Sequence, residues 1–218
     1  MRSLFLCLLF IPVALFARPK RVKITTTAGV IVVELYDQTP KHRDNFLKLV
    51  RKHVYDSALF HRVIPHFMIQ GGDPTSKHAA PGTLLGNGDV GYTIPAEFDT
   101  AFFHVRGTLA AARDDNPAKA SSGCQFYIVQ GKKYTDAELD ALEKGRMHGQ
   151  QIPWSHRQVY KTEGGTPWLD RNYTVFGRVV SGMDVVDNIA SVKTDGNNRP
   201  VSDVRILKMR VIRKFLFF

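Results

Sequence analysis

The chain has 218 residues, 44% of them hydrophobic and 23% charged. This composition excludes a disordered or low-complexity chain and fits one globular domain able to bury its own core. Two cysteines exclude a disulfide framework, and eight scattered histidines without HExxH or CxxC spacing indicate no metal site, so no metal or cofactor is expected. The net charge of +10 comes from basic residues gathered at the two ends, with no nucleic-acid motif beside them, so no nucleic acid is expected as a partner.

Met1-Arg2-Ser3 leads into an apolar run over 4–16, with Ala17 as a small residue for cleavage. Residues 1–17 read as a secretory signal peptide, which places the mature chain, 18–218, outside the cytoplasm, in the periplasm of a bacterial cell. The run is shorter than the roughly 20 residues of a membrane span. An uncleaved anchor, the alternative raised by the bulky Leu15 and by Arg18, Lys20 and Arg21, is the one route to a membrane.

Two strands are expected over 22–27 and 29–36, the second rich in β-branched residues, with a tight turn at Ala28-Gly29. Thr39-Pro40 then opens a helix whose apolar face is Phe46, Leu47, Leu49 and Val50. His42 and His53 lack partners at ligand spacing and are assigned to the surface. Further strands follow over 59–64 and 67–70, ended by Gly71-Gly72-Asp73-Pro74. The glycine-rich loop 75–91 lacks the GK[ST] of a phosphate cradle and reads as a long excursion shaped by turns.

Residues 92–98 form a short extended piece, and 105–112 a strand whose small residues leave room for packing or for a groove floor. In the strand 123–130, alternation sets Gln125, Tyr127 and Val129 on one face and Cys124, Phe126 and Ile128 on the other. The composition changes over 132–165, which reads as an insertion with one helix, capped by Thr135 and Glu138, and an irregular remainder. A strand over 174–180, a short amphipathic helix over 183–189, a turn cluster over 194–200 and a last strand over 204–212 complete the pattern. The tail Phe215-Leu216-Phe217-Phe218 is apolar and is expected to pack on the domain. If the two terminal strands pair, their lysines and arginines form one patch, read first as protection of a sheet edge and second as a surface for anionic partners.

One residue stands out. Arg62 is a guanidinium set among Phe60, Val63, Ile64, Phe67, Met68 and Ile69, and its head group must reach water or a partner, because an unpaired buried charge is costly. An arginine on the wet face of a strand explains it as simply as a functional one.

The stretches FHRVIPHFMIQGGDP, GYTIPAEF, GTLAAAR, SSGCQFYIV, TPWLD and YTVFGRVVSGMDVVD, in this order, resemble a cyclophilin-type peptidyl-prolyl cis–trans isomerase. The resemblance runs from Val22 to about Val211 apart from the insertion, and is to the bacterial branch, since Arg113 stands where cytosolic eukaryotic members carry asparagine. It implies a mainly β fold: a closed eight-stranded antiparallel β-barrel capped by two helices, here with a partly helical insertion. It implies that Arg62 is the catalytic arginine and that Phe67, Met68 and Leu169 wall a proline pocket. Gln70 and Gln125 hold the arginine and the peptide backbone, Ala112 and Arg113 form the groove segment, Trp168 stands beside the pocket, and Tyr127 and Tyr173 replace a pocket phenylalanine and a rim histidine. The implied partners are proline-containing peptides and unfolded protein clients, with a cyclosporin-like ligand by the same resemblance; a monomer is expected. The activity expected is isomerisation of X–Pro bonds during folding of exported proteins. The alternative is a proline-peptide binding module or holding chaperone that uses the insertion and the apolar tail. Cys124, next to Gln125, reads as an inert packed thiol.

Overall fold

The computed structural model describes residues 19–212; the leader reading of 1–17 and the tail 215–218 lie outside the described residues. Strands β1 (Lys20–Thr26) and β2 (Gly29–Leu35) form a hairpin. Helix α1 (Pro40–Arg51) follows, then β3 (Arg62–Ile64), β4 (Met68–Gly71), β5 (Thr93–Ile94), β6 (Thr108–Ala111), β7 (Ser121–Ser122) and β8 (Phe126–Val129). Helices α2 (Asp136–Lys144) and α3 (Trp154–Thr162) make up the insertion, and β9 (Val175–Ser181), α4 (Met183–Ala190) and β10 (Ile206–Ile212) end the domain.

Eight strands form one antiparallel sheet in the order β10-β1-β2-β9-β6-β8-β4-β3, while β5 and β7 pair separately. The sheet curls into a half-barrel. The expected closed barrel is not formed: β3 and β10 share no ladder, and an isolated bridge, Leu59 to Arg205, spans the gap. Register explains this. Antiparallel pairing continued from that bridge would set β10 against residues 52–58, which turn tightly after α1 with positive φ at His53 and Ser57. The same pairing would set β3 against residues 200–202, at the end of the turn cluster before β10.

Strand alternation fills the curl. Val22, Ile24, Ile31, Val33, Leu109, Phe126, Ile128 and Phe176 face inward, with Phe46, Leu47, Leu49 and Val50 of α1 and Val186 and Ile189 of α4 packed on the same core. Each such side chain taken from water contributes about 1.5–3 kcal/mol. The other face of β8 is buried too: Tyr127 and Val129 join Met68, Ala110, Ala112, Leu169 and Val175 in a second cluster. The period of two thus sorts residues between two cores rather than between core and solvent.

Three further expectations change. Thr39 makes no capping hydrogen bond; the first-turn amides of Lys41 and His42 donate instead to the Glu97 carboxylate, at 3.1 and 3.0 Å. His42 is buried rather than on the surface, with Nδ1 2.8 Å from Glu97 and Nε2 3.0 Å from the Ser121 hydroxyl. The insertion carries two helices. In α2, Thr135 and Glu138 form the expected capping box. Helix α3 has no side-chain cap; it is held by packing of Tyr160 with Tyr134, Leu139, Met147 and Ile152, and by Arg157, which pairs with Asp140 and Glu143 at 2.7 and 3.1 Å. At the sheet edge β1 pairs β10 with Lys23 opposite Arg210, so the two terminal strands pair and bring their basic residues together.

Candidate active site

Arg62 begins β3 opposite Gln70 on β4, Gln70 lies opposite Tyr127 on β8, and Tyr127 opposite Ala110 on β6. Directly paired residues share a face, so register alone aligns one row across four strands. Arg62 Nη1 donates to Gln70 Oε1 at 3.2 Å, Gln70 Nε2 to Gln125 Oε1 at 3.0 Å, and Gln125 Nε2 to the carbonyls of Gly86 and Gly88 at 2.7 and 2.9 Å. A guanidinium can only donate, so each glutamine must turn its oxygen toward the arginine end, and the polarity of the relay is fixed. Burial lowers the Arg62 pKa, with Tyr173 pulling the other way; a guanidinium stays charged regardless.

The relay ends on the glycine-rich loop, which is anchored by the fully buried Asp73. Asp73 Oδ1 accepts from the Thr75 amide and hydroxyl at 2.8 and 2.6 Å, and Oδ2 from the amides of Gly86 and Gly88 at 2.6 and 3.3 Å. Burial opposes the Asp73 charge, but these hydrogen bonds outweigh it and hold the pKa below the ordinary value. Gly88 approaches so closely that a Cβ there would collide with the Asp73 carboxylate.

Relay and loop form one side of a cleft of about 800 Å³. Ten of the expected site residues line it: Arg62, Phe67, Met68, Gln70, Ala112, Arg113, Gln125, Tyr127, Leu169 and Tyr173. Phe67, Met68, Ala112, Tyr127 and Leu169 make an apolar cup beside the guanidinium. Trp168 does not line the cleft. It stands one layer back, with its ring 5.7 Å from that of Phe67 and the Arg146 guanidinium 4.1 Å over it. At the rim, Tyr173 sets its ring edge-on to Tyr127 at 5.9 Å, and Arg113 lies 4.9 Å over Tyr173 while donating to the Asn172 carbonyl at 2.8 Å. Arg113 therefore braces the rim with its side chain.

Other residues line the cleft that the sequence pattern did not single out. Leu84, Leu85 and Tyr92 come from the loop 75–91 and the strand approach after it, and Asn197 and Arg199 from the turn before β10. His61 also lines it, nearly fully buried, with no hydrogen-bond partner on either ring nitrogen among the described residues; the Leu59 carbonyl lies near but outside hydrogen-bond geometry. Burial pushes the His61 pKa down to about 4, against an upward pull from Asp73. Asp73 was in plain view in GGDP, but nothing local marks it as a loop anchor. Cys124 is buried, and burial raises its thiol pKa to about 11, in keeping with an inert thiol.

The cleft, the Arg62 guanidinium beside its apolar cup and the curled sheet define a class, and comparison with known proteins names it. Residues 21–211 match the family described as cyclophilin type peptidyl-prolyl cis-trans isomerase/CLD. A Gibberella zeae protein, peptidyl-prolyl cis-trans isomerase-like 1, is 34% identical over 191 residues, covering 87% of this chain and 93% of that one. A Streptococcus pyogenes protein whose name pairs a phosphatase with a peptidyl-prolyl cis-trans isomerase is 38% identical over 195 residues, which are 88% of this chain and 38% of that longer one. The crystal structure of a Cryptosporidium parvum cyclophilin type peptidyl-prolyl cis-trans isomerase shares the fold, with a TM-score of 0.68 at 23% identity over 90% of this chain and 99% of that one. The chain belongs to the cyclophilin-type family and is a peptidyl-prolyl cis–trans isomerase.

Proposed function

We propose that the apolar cup seats the proline ring of an extended peptide and that Arg62 is the catalytic residue. An X–Pro bond resists rotation with a barrier of about 18–20 kcal/mol, because amide resonance keeps it planar. A catalyst must therefore favour the twisted amide over both planar isomers. Twisting returns a lone pair to the prolyl nitrogen, and a guanidinium beside the cup can donate to it. The observation that carries this reading is the Arg62–Gln70–Gln125 relay. It fixes the guanidinium through Nη1, and Arg62 lines the cleft. Phe67, Met68, Tyr127 and Leu169 exclude water, which strengthens a preorganised donor. No nucleophile or proton relay is required.

Loss of one preorganised donor lowers the rate by about 10²–10³-fold. Arg62→Ala should reduce kcat/KM by that factor in a protease-coupled proline-peptide assay, with its circular dichroism unchanged. A wild-type rate in the folded variant would overturn the assignment. The basic, cysteine-poor chain and the apolar run over 4–16 support an exported enzyme acting on unfolded clients. A mature protein that begins at Arg18 would agree with export, and one that retains Met1 and fractionates with the cytoplasm would count against it.

A further inference from the structure

The cup has a second polar network, behind its wall and on the side away from Arg62. The Tyr127 ring lines the cleft, but its hydroxyl points out of it, 3.0 Å from His104 Nε2. His104 Nδ1 lies 2.9 Å from Asp170 Oδ1, and the Tyr160 hydroxyl donates to Asp170 Oδ2 at 2.7 Å. Tyr127, His104 and Tyr160 are buried. A carboxylate can only accept, so in the neutral imidazole Nδ1 is the donor to Asp170 and Nε2 accepts a hydrogen bond from the Tyr127 hydroxyl.

This chain of four side chains ends in the insertion, because Tyr160 lies on α3. It also holds the turn that supplies a wall of the cup. The His104 amide donates to Asp170 Oδ1 at 2.9 Å, and the His104 carbonyl accepts from the Thr166 amide at 2.8 Å. His104 thus grips both ends of the segment 166–170, which carries Trp168 and Leu169. The fit leaves no slack: a Cβ on Gly165 would collide with the His104 carbonyl and the Tyr160 ring. Trp168 packs against both the cup cluster and the insertion cluster.

We infer that the insertion is a buttress of the proline pocket, and that His104 and Tyr160 are positioning residues which set the Tyr127 floor and the Leu169 wall through Asp170. This rests on the reading of the cup as the proline pocket. It gives the insertion a role in this enzyme's own substrate binding, in place of a separate client-holding arm. The hydroxyl of Tyr127 is thereby withdrawn from the cleft, which presents to the ligand a ring as apolar as a phenylalanine.

The test is a double-mutant cycle on the full chain, with Tyr160→Phe, Tyr127→Phe and both together. Each variant removes one hydroxyl, and the two sites are joined through His104 and Asp170. Each single change should raise KM for a proline peptide about fivefold with kcat nearly unchanged, the signature of lost uniform binding, and the double variant should be no worse than either single one. Unchanged KM in the single variants, or strictly additive effects, would overturn the inference. If Tyr160→Phe does not fold, imidazole ¹⁵N NMR of the wild-type chain decides. A His104 ring protonated at Nδ1 and bare at Nε2, whose Nε2 signal shifts in Tyr127→Phe, supports it; a proton at Nε2 overturns it. Failure here with Arg62→Ala still inactive would refute the buttress alone, whereas an active Arg62→Ala would refute the site assignment itself.

Discussion

Replacing Asp73 by asparagine tests the idea that the loop wall is held by one buried carboxylate. Each carboxylate oxygen accepts two hydrogen bonds, Oδ1 from Thr75 twice and Oδ2 from Gly86 and Gly88. If the new NH2 takes the Oδ2 place it meets the Gly86 and Gly88 amides and both bonds are lost; if it takes the Oδ1 place the Thr75 amide is lost while the Thr75 hydroxyl can turn to accept, and in either case the surviving bonds lose their charge assistance. At about 1.5–3 kcal/mol for each bond to a charged group, with partial relief by water at the loop, the net loss is about 3 kcal/mol. For a domain near this size that lowers Tm by roughly 6–12 °C. The gap between wild type and Asp73→Asn should depend on pH. The folded pKa of Asp73 lies below its ordinary 3.8, so the carboxylate's contribution is complete above that value and fades as pH falls through the folded pKa. Thermal denaturation followed by circular dichroism at pH 7 and below pH 3.8, with kcat/KM at pH 7, measures both effects. The gap should be wide at pH 7 and narrow in acid, and activity should fall because the Gly86 and Gly88 carbonyls no longer hold Gln125. A variant with wild-type Tm at pH 7, or a gap that does not shrink in acid, would refute the anchoring argument.

His61 should supply a separate acid dependence of opposite chemistry. Its pKa drops from 6.5 to about 4 on folding, so the unfolded chain takes up a proton first and stability falls as pH goes from 6.5 toward 4, by about 3 kcal/mol at most. His61→Phe should flatten that part of a stability-versus-pH curve, and an unchanged curve would show that the ring is not held neutral. Cys124, buried and with its thiol pushed up to about 11, should resist iodoacetamide at pH 8 in the native protein and react on unfolding in denaturant; rapid native labelling would contradict its packing.

Local pattern carried much of this protein. Alternation in the strand 123–130 separated Phe126 and Ile128 from Tyr127 and Val129, and the two sets lie in different clusters as that alternation requires. The apolar face of α1 and the capping box of α2 were equally legible, since both depend on residues within two turns of one another. Arg62 could be singled out as a misplaced charge, but from its own segment it was no more than an ambiguous one. Gln70 is its register neighbour, whereas Gln125 lies 55 residues beyond Gln70.

What the sequence by itself determined was therefore most of the elements and the face that each turns to the core, while the cup residues followed from the family resemblance. Backbone propensity and side-chain periodicity act over a few residues. The tertiary structure decided the rest. Closure of the sheet failed because the register of one bridge points both edge strands at turns. The loop wall depends on Asp73 reaching Gly86 and Gly88, 13 and 15 residues away, and the α1 amides are capped by a glutamate 55 and 56 residues further on. Helix α3 has no cap of its own and exists because Tyr160 has a core to enter. The link from Tyr127 through His104 and Asp170 to the insertion joins partners 23, 66 and 10 residues apart. A polar side chain carries no local sign of its partner, and an unsatisfied buried group is so costly that the pairing is settled where the folded chain brings donor and acceptor together.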